Sequence, residues 1–343
     1  MVEKYETNEP GTCRNPAPGG PGILPHWTRG DKDAVGTAYS TASLVWYTIS
    51  EGIINEVYYP TIDRPQVRDL QYLITDGKRF FHEERRDLET EIEAISPHSL
   101  GVRITNSDPE GRYRLIKEII ADPYLSCVLM HTRLEGKPEF LSDLKVYLLC
   151  NCHLALGGRG DSAEALRMAG RTVLVAHERQ LCLALSSSAS FTRCSCGYVG
   201  VNDGWTDLAE NFQLDYDYDC AKDGNVALTG EIALAEGPEW TVGLAFGQSI
   251  HSAISTLFQS LGVPFEVHRQ HYIEQWQSAG PPHDELEKVA GDGGALYRRS
   301  ESLLLAHEDK LYPGALIASL SIPWGQVKVA EEGTGGYHLV WTR

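Results

Sequence analysis

The chain has 343 residues, 42% of them hydrophobic and 9% aromatic, which is ordinary for a globular protein of about two domains. Its 30 lysine and arginine residues are outnumbered by 47 aspartate and glutamate residues, and the net charge of −17 makes nucleic acid an unexpected partner. No run approaches the ~20 apolar residues that span a bilayer, so no membrane partner is expected either.

Residues 1–22 open the chain with a polar stretch rich in proline and glycine, which predicts a flexible lead-in. The stretch lacks the basic and then apolar layout of a signal peptide. We therefore expect a cytoplasmic protein, with an undetected export route left open.

Residues 23–250 consist of short apolar-alternating runs separated by turn formers, such as those at 75–77 and 223–224. Many of these runs are rich in valine, isoleucine, tyrosine, leucine and threonine, as in LQYLITDGKRFF, LKVYLLC and RTVLVAH. Ten or more such runs without long helices between them predict a mainly β domain, a large antiparallel two-sheet β-sandwich.

The pattern changes at residue 251, where helical spacing begins. Residues 251–283 predict a helical linker that ends at a Pro-Pro pair, and residues 284–343 predict the start of a second, helical domain. One helix and a loop cannot bury a core of their own. This last piece therefore either packs onto the sandwich or belongs to an incomplete domain.

Eight cysteines include two C-x-C pairs, Cys150/Cys152 and Cys194/Cys196, which could together make a four-thiolate zinc site. Residues two apart in a strand also share one face, and neither pair has the usual C-x₂-C spacing. The favoured interpretation is that the cysteines are reduced and packed as small apolar residues.

Asp215, Asp217 and Asp219 alternate in DYDYDC and are predicted to share one strand face, which could attract calcium. The EF-hand pattern fails, because Cys220 stands where glycine is needed and Val226 where glutamate is needed. A solvated strand edge is the preferred interpretation, calcium remains an alternative, and no other cofactor is expected.

Two motifs near the end of the chain, PGALIAS at 313–319 and YHLVWTR at 337–343, resemble the start of the catalytic domain in glucoamylases and glucodextranases of glycoside hydrolase family 15. Upstream, APGGPGILPHWTRGDKDAVGTA and GYVGVNDGWTDL resemble parts of the N-terminal domain of the bacterial and archaeal members. The resemblance implies a two-sheet β-sandwich joined through linker helices to an (α/α)₆ barrel. Only the first helix of that barrel is expected within this chain.

The family's reaction, by resemblance, releases glucose from non-reducing ends of α-glucans with inversion. Inversion needs a carboxylic acid and a carboxylate base about 6.5–9.5 Å apart. In the family both are glutamates on later barrel loops, so no residue of this chain is expected to be catalytic and the fragment is expected to be inactive.

Three residues are implied to bind substrate. By motif position, Arg343 donates hydrogen bonds to sugar hydroxyls, Trp341 supplies an apolar face and an indole N–H, and Tyr337 packs against the sugar ring. The alternative is that Tyr337 and Trp341 are core aromatics beside a strand.

The implied partners are an α-glucan or oligosaccharide and the catalytic barrel, which would dock on the sandwich. A second hypothesis is a non-catalytic carbohydrate-binding or structural module whose Trp27, Trp46 and Trp205 contact glucan. Against it, these tryptophans are expected to pack against the barrel. A disaccharide phosphorylase shares the layout, but the Tyr-x-x-x-Trp-x-Arg motif argues against one.

Overall fold

The computed structural model describes residues 10–279 and 284–332. The strands are β1 Ala34–Thr37, β2 Trp46–Ser50, β3 Ile53–Tyr58, β4 Pro65–Thr75, β5 Phe81–Glu83, β6 Glu89–Ala94, β7 Val102–Ser107, β8 Tyr113–Ala121, β9 Cys127–Gly136, β10 Lys145–Cys152, β11 Asp161–Met168, β12 Arg171–Glu178, β13 Leu181–Ser187, β14 Phe191–Tyr198, β15 Cys220–Gly224, β16 Val226–Ile232 and β17 Glu239–Gly247. The helices are α1 Glu84–Asp87, α2 Pro138–Leu141, α3 Gly204–Asn211, α4 Ile250–Leu261, α5 Phe265–Gln277, α6 Asp284–Val289 and α7 Ala295–Ala306.

The strands form two antiparallel sheets. One has 8 strands in the order β1-β2-β3-β4-β10-β16-β14, with β5 paired to β4, and the other has 9 strands in the order β15-β11-β12-β13-β17-β9-β8-β7-β6. Side-chain hydrogen bonds cross between the sheets, since Tyr47 donates to the carbonyl of Ile119 at 2.9 Å and the Trp240 indole donates to the Tyr72 hydroxyl at 2.8 Å. The predicted mainly β, two-sheet sandwich is confirmed.

The strands at one end of the eight-stranded sheet are buried on both faces. Every residue of β2 and β3 is buried, so their outer face is covered as well as their inner one. The edge strand β6 of the nine-stranded sheet instead exposes the acidic side chains of Glu89, Glu91 and Glu93. The covered outer face is where the last described residues of the chain lie.

Two helices follow the sandwich and pack against it. Ser249 and Ser252 form a capping box at the start of α4, and Leu257 of α4 packs over Gly243 of β17. A Cβ at Gly243 would stand 2.7 Å from the Leu257 side chain. Glycine is therefore needed for the helix to approach the strand so closely.

The structure corrects three sequence expectations at the N-terminal end. Residues 10–22, expected to be a flexible lead-in, are instead hydrogen-bonded to the sandwich. Two cysteines expected to be reduced, Cys13 and Cys220, form a disulfide, whereas the other six are free. The stretch from Asp215 to Asp219 is irregular and not a strand, because Asp219 turns its carboxylate to the N–H groups of the lead-in.

Candidate functional site

The three residues predicted to line a sugar subsite, Tyr337, Trp341 and Arg343, lie outside the described residues. The structure does describe the stretch that precedes them, residues 306–332, which we call the C-terminal segment. It packs against the outer face of the eight-stranded sheet and against its edge strand β1. The candidate site is therefore built from the way in which the sandwich holds this segment.

Thr37, the last residue of β1, is the point where three parts of the chain meet. Its hydroxyl donates to the Val45 carbonyl at 2.6 Å and accepts a hydrogen bond from Lys310 Nζ at 2.6 Å. Its carbonyl oxygen accepts from the Tyr272 hydroxyl at 2.9 Å and from the Trp276 indole at 3.1 Å. One residue thus ties both α5 and the C-terminal segment to the same edge of the sheet.

Lys310 is a half-buried lysine whose amine is enclosed by the protein and donates hydrogen bonds to uncharged groups. Nζ donates to Thr37 Oγ1 and to the Ser43 carbonyl, and it lies 4.8 Å from the centre of the Trp46 ring. Burial lowers the pKa of Lys310 to about 7, and neighbouring Asp309 opposes that shift. A neutral amine carries two N–H bonds, which match the two acceptors here.

Asp309, next to Lys310, shapes the start of the 313–319 motif. Its Oδ1 accepts from the N–H groups of Leu311 at 2.8 Å and Tyr312 at 2.9 Å, which closes a turn. Its Oδ2 accepts from the N–H of Ile62 at 2.9 Å, in the connection between β3 and β4. The same carboxylate therefore forms the turn and fastens it to the sandwich.

Two apolar clusters complete the attachment of the C-terminal segment. The first contains Trp46, Tyr58, Ile62, Ile317 and Leu320, and the second contains Trp27, Ile322 and Ala330. Trp46 is fully buried and Trp27 is 2% exposed. The hypothesis that these two tryptophans contact glucan is therefore wrong, because the segment covers them. Trp205 is half-buried, and its indole donates to Glu83 at 3.1 Å.

Most of the exposed large apolar side chains that the structure describes lie between residues 289 and 327, and we call them the apolar strip: Val289, Leu296, Tyr297, Leu303, Leu304, Leu305, Leu311, Tyr312, Leu316, Trp324 and Val327. In α7 the small residues Ser302 and Ala306 are buried, whereas Leu296 is 71% and Leu304 74% exposed. This is the reverse of the usual arrangement, in which a helix buries its largest apolar residues.

Among the described residues, one group of three side chains places metal-ligating atoms within 4.8 Å of one another, Cys13, Asp219 and Cys220. Its two sulfurs are joined as a disulfide. The two C-x-C pairs do not form such a group, and Asp215 and Asp217 stand outside it.

The comparisons with known proteins agree with the two-sheet β-sandwich described above. A family model described as glucodextranase, domain N, matches residues 17–279. The chain is similar to a glucoamylase of Clostridium sp. (strain G0005), with 36% identity over 324 residues that cover 94% of this chain and 45% of that one. It is also similar to a solved bacterial glucoamylase in complex with acarbose, with 36% identity and a TM-score of 0.89 over 96% of this chain and 48% of that chain. The chain thus spans about half the length of the relatives it matches.

Proposed function

The chain belongs to the glucodextranase domain N family, and from that membership we propose that it is the N-terminal part of an inverting glycosidase that releases glucose from α-glucans. The similar solved glucoamylase holds the oligosaccharide analogue acarbose, and an oligosaccharide is the substrate class we propose for the whole enzyme. The resemblance of the 337–343 motif supports exo-acting release from non-reducing ends.

The apolar strip carries the proposal that α7 and the C-terminal segment pack against the rest of a catalytic barrel. A monomeric protein seldom leaves this many large apolar side chains of one region of the chain in water. Leu296, Leu303 and Leu304 lie on one side of α7 at helical spacing, which fits the contact side of a helix in an (α/α)₆ barrel. Residues 284–343 are the proposed start of that barrel.

Tyr337, Trp341 and Arg343 are the proposed sugar-binding residues of this chain. Ala330 donates its N–H to the Pro25 carbonyl at 2.8 Å, so the sandwich fixes the chain shortly before these residues. The acid and base of the reaction are proposed to lie on the docked barrel. In this division of labour the sandwich positions one wall of the subsite and performs no proton transfer.

The compartment is a separate part of the proposal. Within the described residues, no helix is both long enough and apolar enough to cross a bilayer. The sequence predicts a cytoplasmic protein, but the Cys13–Cys220 disulfide favours an oxidising compartment, since cytosolic thiols are kept reduced.

The test is an assay of glucose release from maltotriose and from dextran. We expect none from the purified 343-residue chain, and release at a rate above the blank would contradict the division of labour. The chain is then co-expressed with the part of the similar Clostridium glucoamylase that it does not span. We expect a co-purifying, active complex, with activity lost in Arg343→Ala and retained in Lys328→Ala, an exposed control position.

A further inference from the structure

Residues 13–26, which we call the N-terminal strap, run along one end of the sandwich. Most of their side chains are exposed, so backbone hydrogen bonds hold them in place. Ala17 donates its N–H to the Cys220 carbonyl at 2.8 Å, and Ile23 donates to the Val199 carbonyl at 3.0 Å. Asn225 adds a bond from its side chain to the Ile23 carbonyl at 3.0 Å. The strap is an ordered strip with little apolar anchorage.

A covalent bond and a carboxylate fasten the start of the strap. The disulfide joins Cys13 to Cys220, the first residue of β15, across a sequence separation of 207. Asp219 accepts from the N–H groups of Arg14 at 2.9 Å and Asn15 at 2.9 Å. Without the disulfide, these residues would be held mainly by bonds that water can replace.

The other end of the strap touches the C-terminal segment. The carbonyl oxygen of Pro25 accepts a hydrogen bond from the N–H of Ala330 at 2.8 Å. His26 and Val329 form an isolated antiparallel β-bridge. Trp27, which follows directly, packs against Ile322 and Ala330. The strap is therefore a continuous physical link between the disulfide and residues 322–330.

We propose that the Cys13–Cys220 disulfide is a redox-reactive site and acts as a lock. While it is closed, the strap holds residues 322–330 on the sandwich. Reduction by a small thiol releases the strap and loosens that attachment. The inference does not depend on the proposed glycosidase function, because it concerns only the strap and the segment it holds.

The exchange chemistry is confined to this pair. Two molecules of a small thiol each lose one electron and one proton equivalent as they join into their own disulfide, and the protein sulfurs become two thiols. Cys13 is half-buried, so an attacking thiolate can reach its sulfur, whereas Cys220 is buried. Of the six free cysteines, Cys194 is half-buried and the others are buried. Burial raises the pKa of the Cys182 thiol to about 11, and it also raises the pKa of the Cys194 and Cys196 thiols, which suppresses their thiolates.

Peptide mapping and amide hydrogen exchange of the whole chain test the proposal, with the phosphine reductant TCEP standing in for the thiol. In the oxidised chain we expect one cross-linked peptide containing Cys13 and Cys220. On reduction we expect exchange to rise at least about tenfold in residues 14–26 and also in 322–332, while β4 and β10 stay unchanged.

The Cys13→Ser/Cys220→Ser variant is the matched control. It should exchange like the reduced wild type, and TCEP should not change it further. Recovery of both cysteines as free thiols from the oxidised protein would overturn the disulfide. Exchange that rises in the strap alone, with 322–332 unaffected, would overturn the lock.

Discussion

Lys310 Nζ donates a hydrogen bond to Thr37 Oγ1 at 2.6 Å, although the two residues are 273 positions apart in sequence. The carbonyl of Thr37 accepts two further bonds from α5. The C-terminal segment and the linker helix are therefore attached through one residue of an edge strand. We therefore expect a substitution of Lys310 to destabilise the C-terminal segment more than the sandwich core.

The lowered pKa of Lys310 predicts a pH-dependent stability. Between about pH 7 and the ordinary lysine value of roughly 10.4, the unfolded chain binds a proton here that the folded chain does not. The contribution of Lys310 to the free energy of unfolding therefore rises with pH across this window and falls as pH drops towards 7.

Lys310→Met removes this contribution because it replaces the titrating amine with an unbranched side chain that carries no charge. The difference in unfolding free energy between wild type and variant should change by up to about 1.4 kcal/mol per pH unit, in favour of wild type at higher pH. Urea unfolding followed by tryptophan fluorescence from pH 7 to 10 measures it. The exposed control Lys328→Met should give parallel curves, and parallel curves for Lys310→Met would refute the prediction.

Trp46→Phe should loosen the C-terminal segment. The indole of Trp46 donates to the Ala306 carbonyl at 3.1 Å, and the fully buried ring packs on Ile317 and Leu320. Loss of the bond and of ring volume should cost about 2 kcal/mol. Amide exchange in residues 306–320 reports it, and Trp324→Phe, at a position that is 58% exposed, should change it little. Equal effects of both substitutions would contradict the packing seen here.

The sandwich could be predicted from the sequence because strand signals are local. The LQYLIT run of β4 is rich in strand-forming residues and ends at its own turn formers, and it folds as a strand at 65–75. The DYDYDC run alternates as a strand would, but it is not a strand, because Asp219 is engaged by residues some 205 positions away. Local patterns predict an element only where distant partners do not compete.

The attachments of the candidate site could not be predicted in the same way. Nothing near Thr37 or Lys310 in the sequence indicates that they meet, and the Cys13–Cys220 pairing spans 207 residues. Trp46 packs with Ile317 and Leu320, which lie some 270 positions away in the sequence, and no local pattern indicates that contact. The residues that the family motifs imply to bind sugar lie outside the described residues, so their role stays a prediction.

The apolar strip predicts that the chain associates with itself when nothing else covers the strip. The net charge of −17 opposes association, so added salt should strengthen it by screening. Replacing Leu296 and Leu304 together by glutamine should shift the population towards monomer in sedimentation velocity at both low and high salt. Tyr124→Gln removes an apolar side chain that is 53% exposed but lies outside the strip. A shift of the same size in Tyr124→Gln would show that the strip is not the cause.

A buried ion pair at the edge of the sandwich core supports the last prediction. Lys117 and Glu84 are both fully buried and form a salt bridge. Lys117 also donates to the Gly52 carbonyl at 2.7 Å, and Glu84 accepts from Asn106 at 2.7 Å. Burial lowers the pKa of Lys117, and Glu84 opposes that shift. Each charge is therefore tolerated because the other is present.

Lys117→Met leaves the Glu84 carboxylate buried without its cation and should cost about 3–5 kcal/mol in the free energy of unfolding. Glu84→Gln alone should also destabilise, since it strands the ammonium. The double variant should lose clearly less than the sum of the two single losses, because a neutral pair has no charge to desolvate. Urea unfolding of all four proteins gives the coupling energy. Losses that simply add would show that the two side chains do not depend on each other.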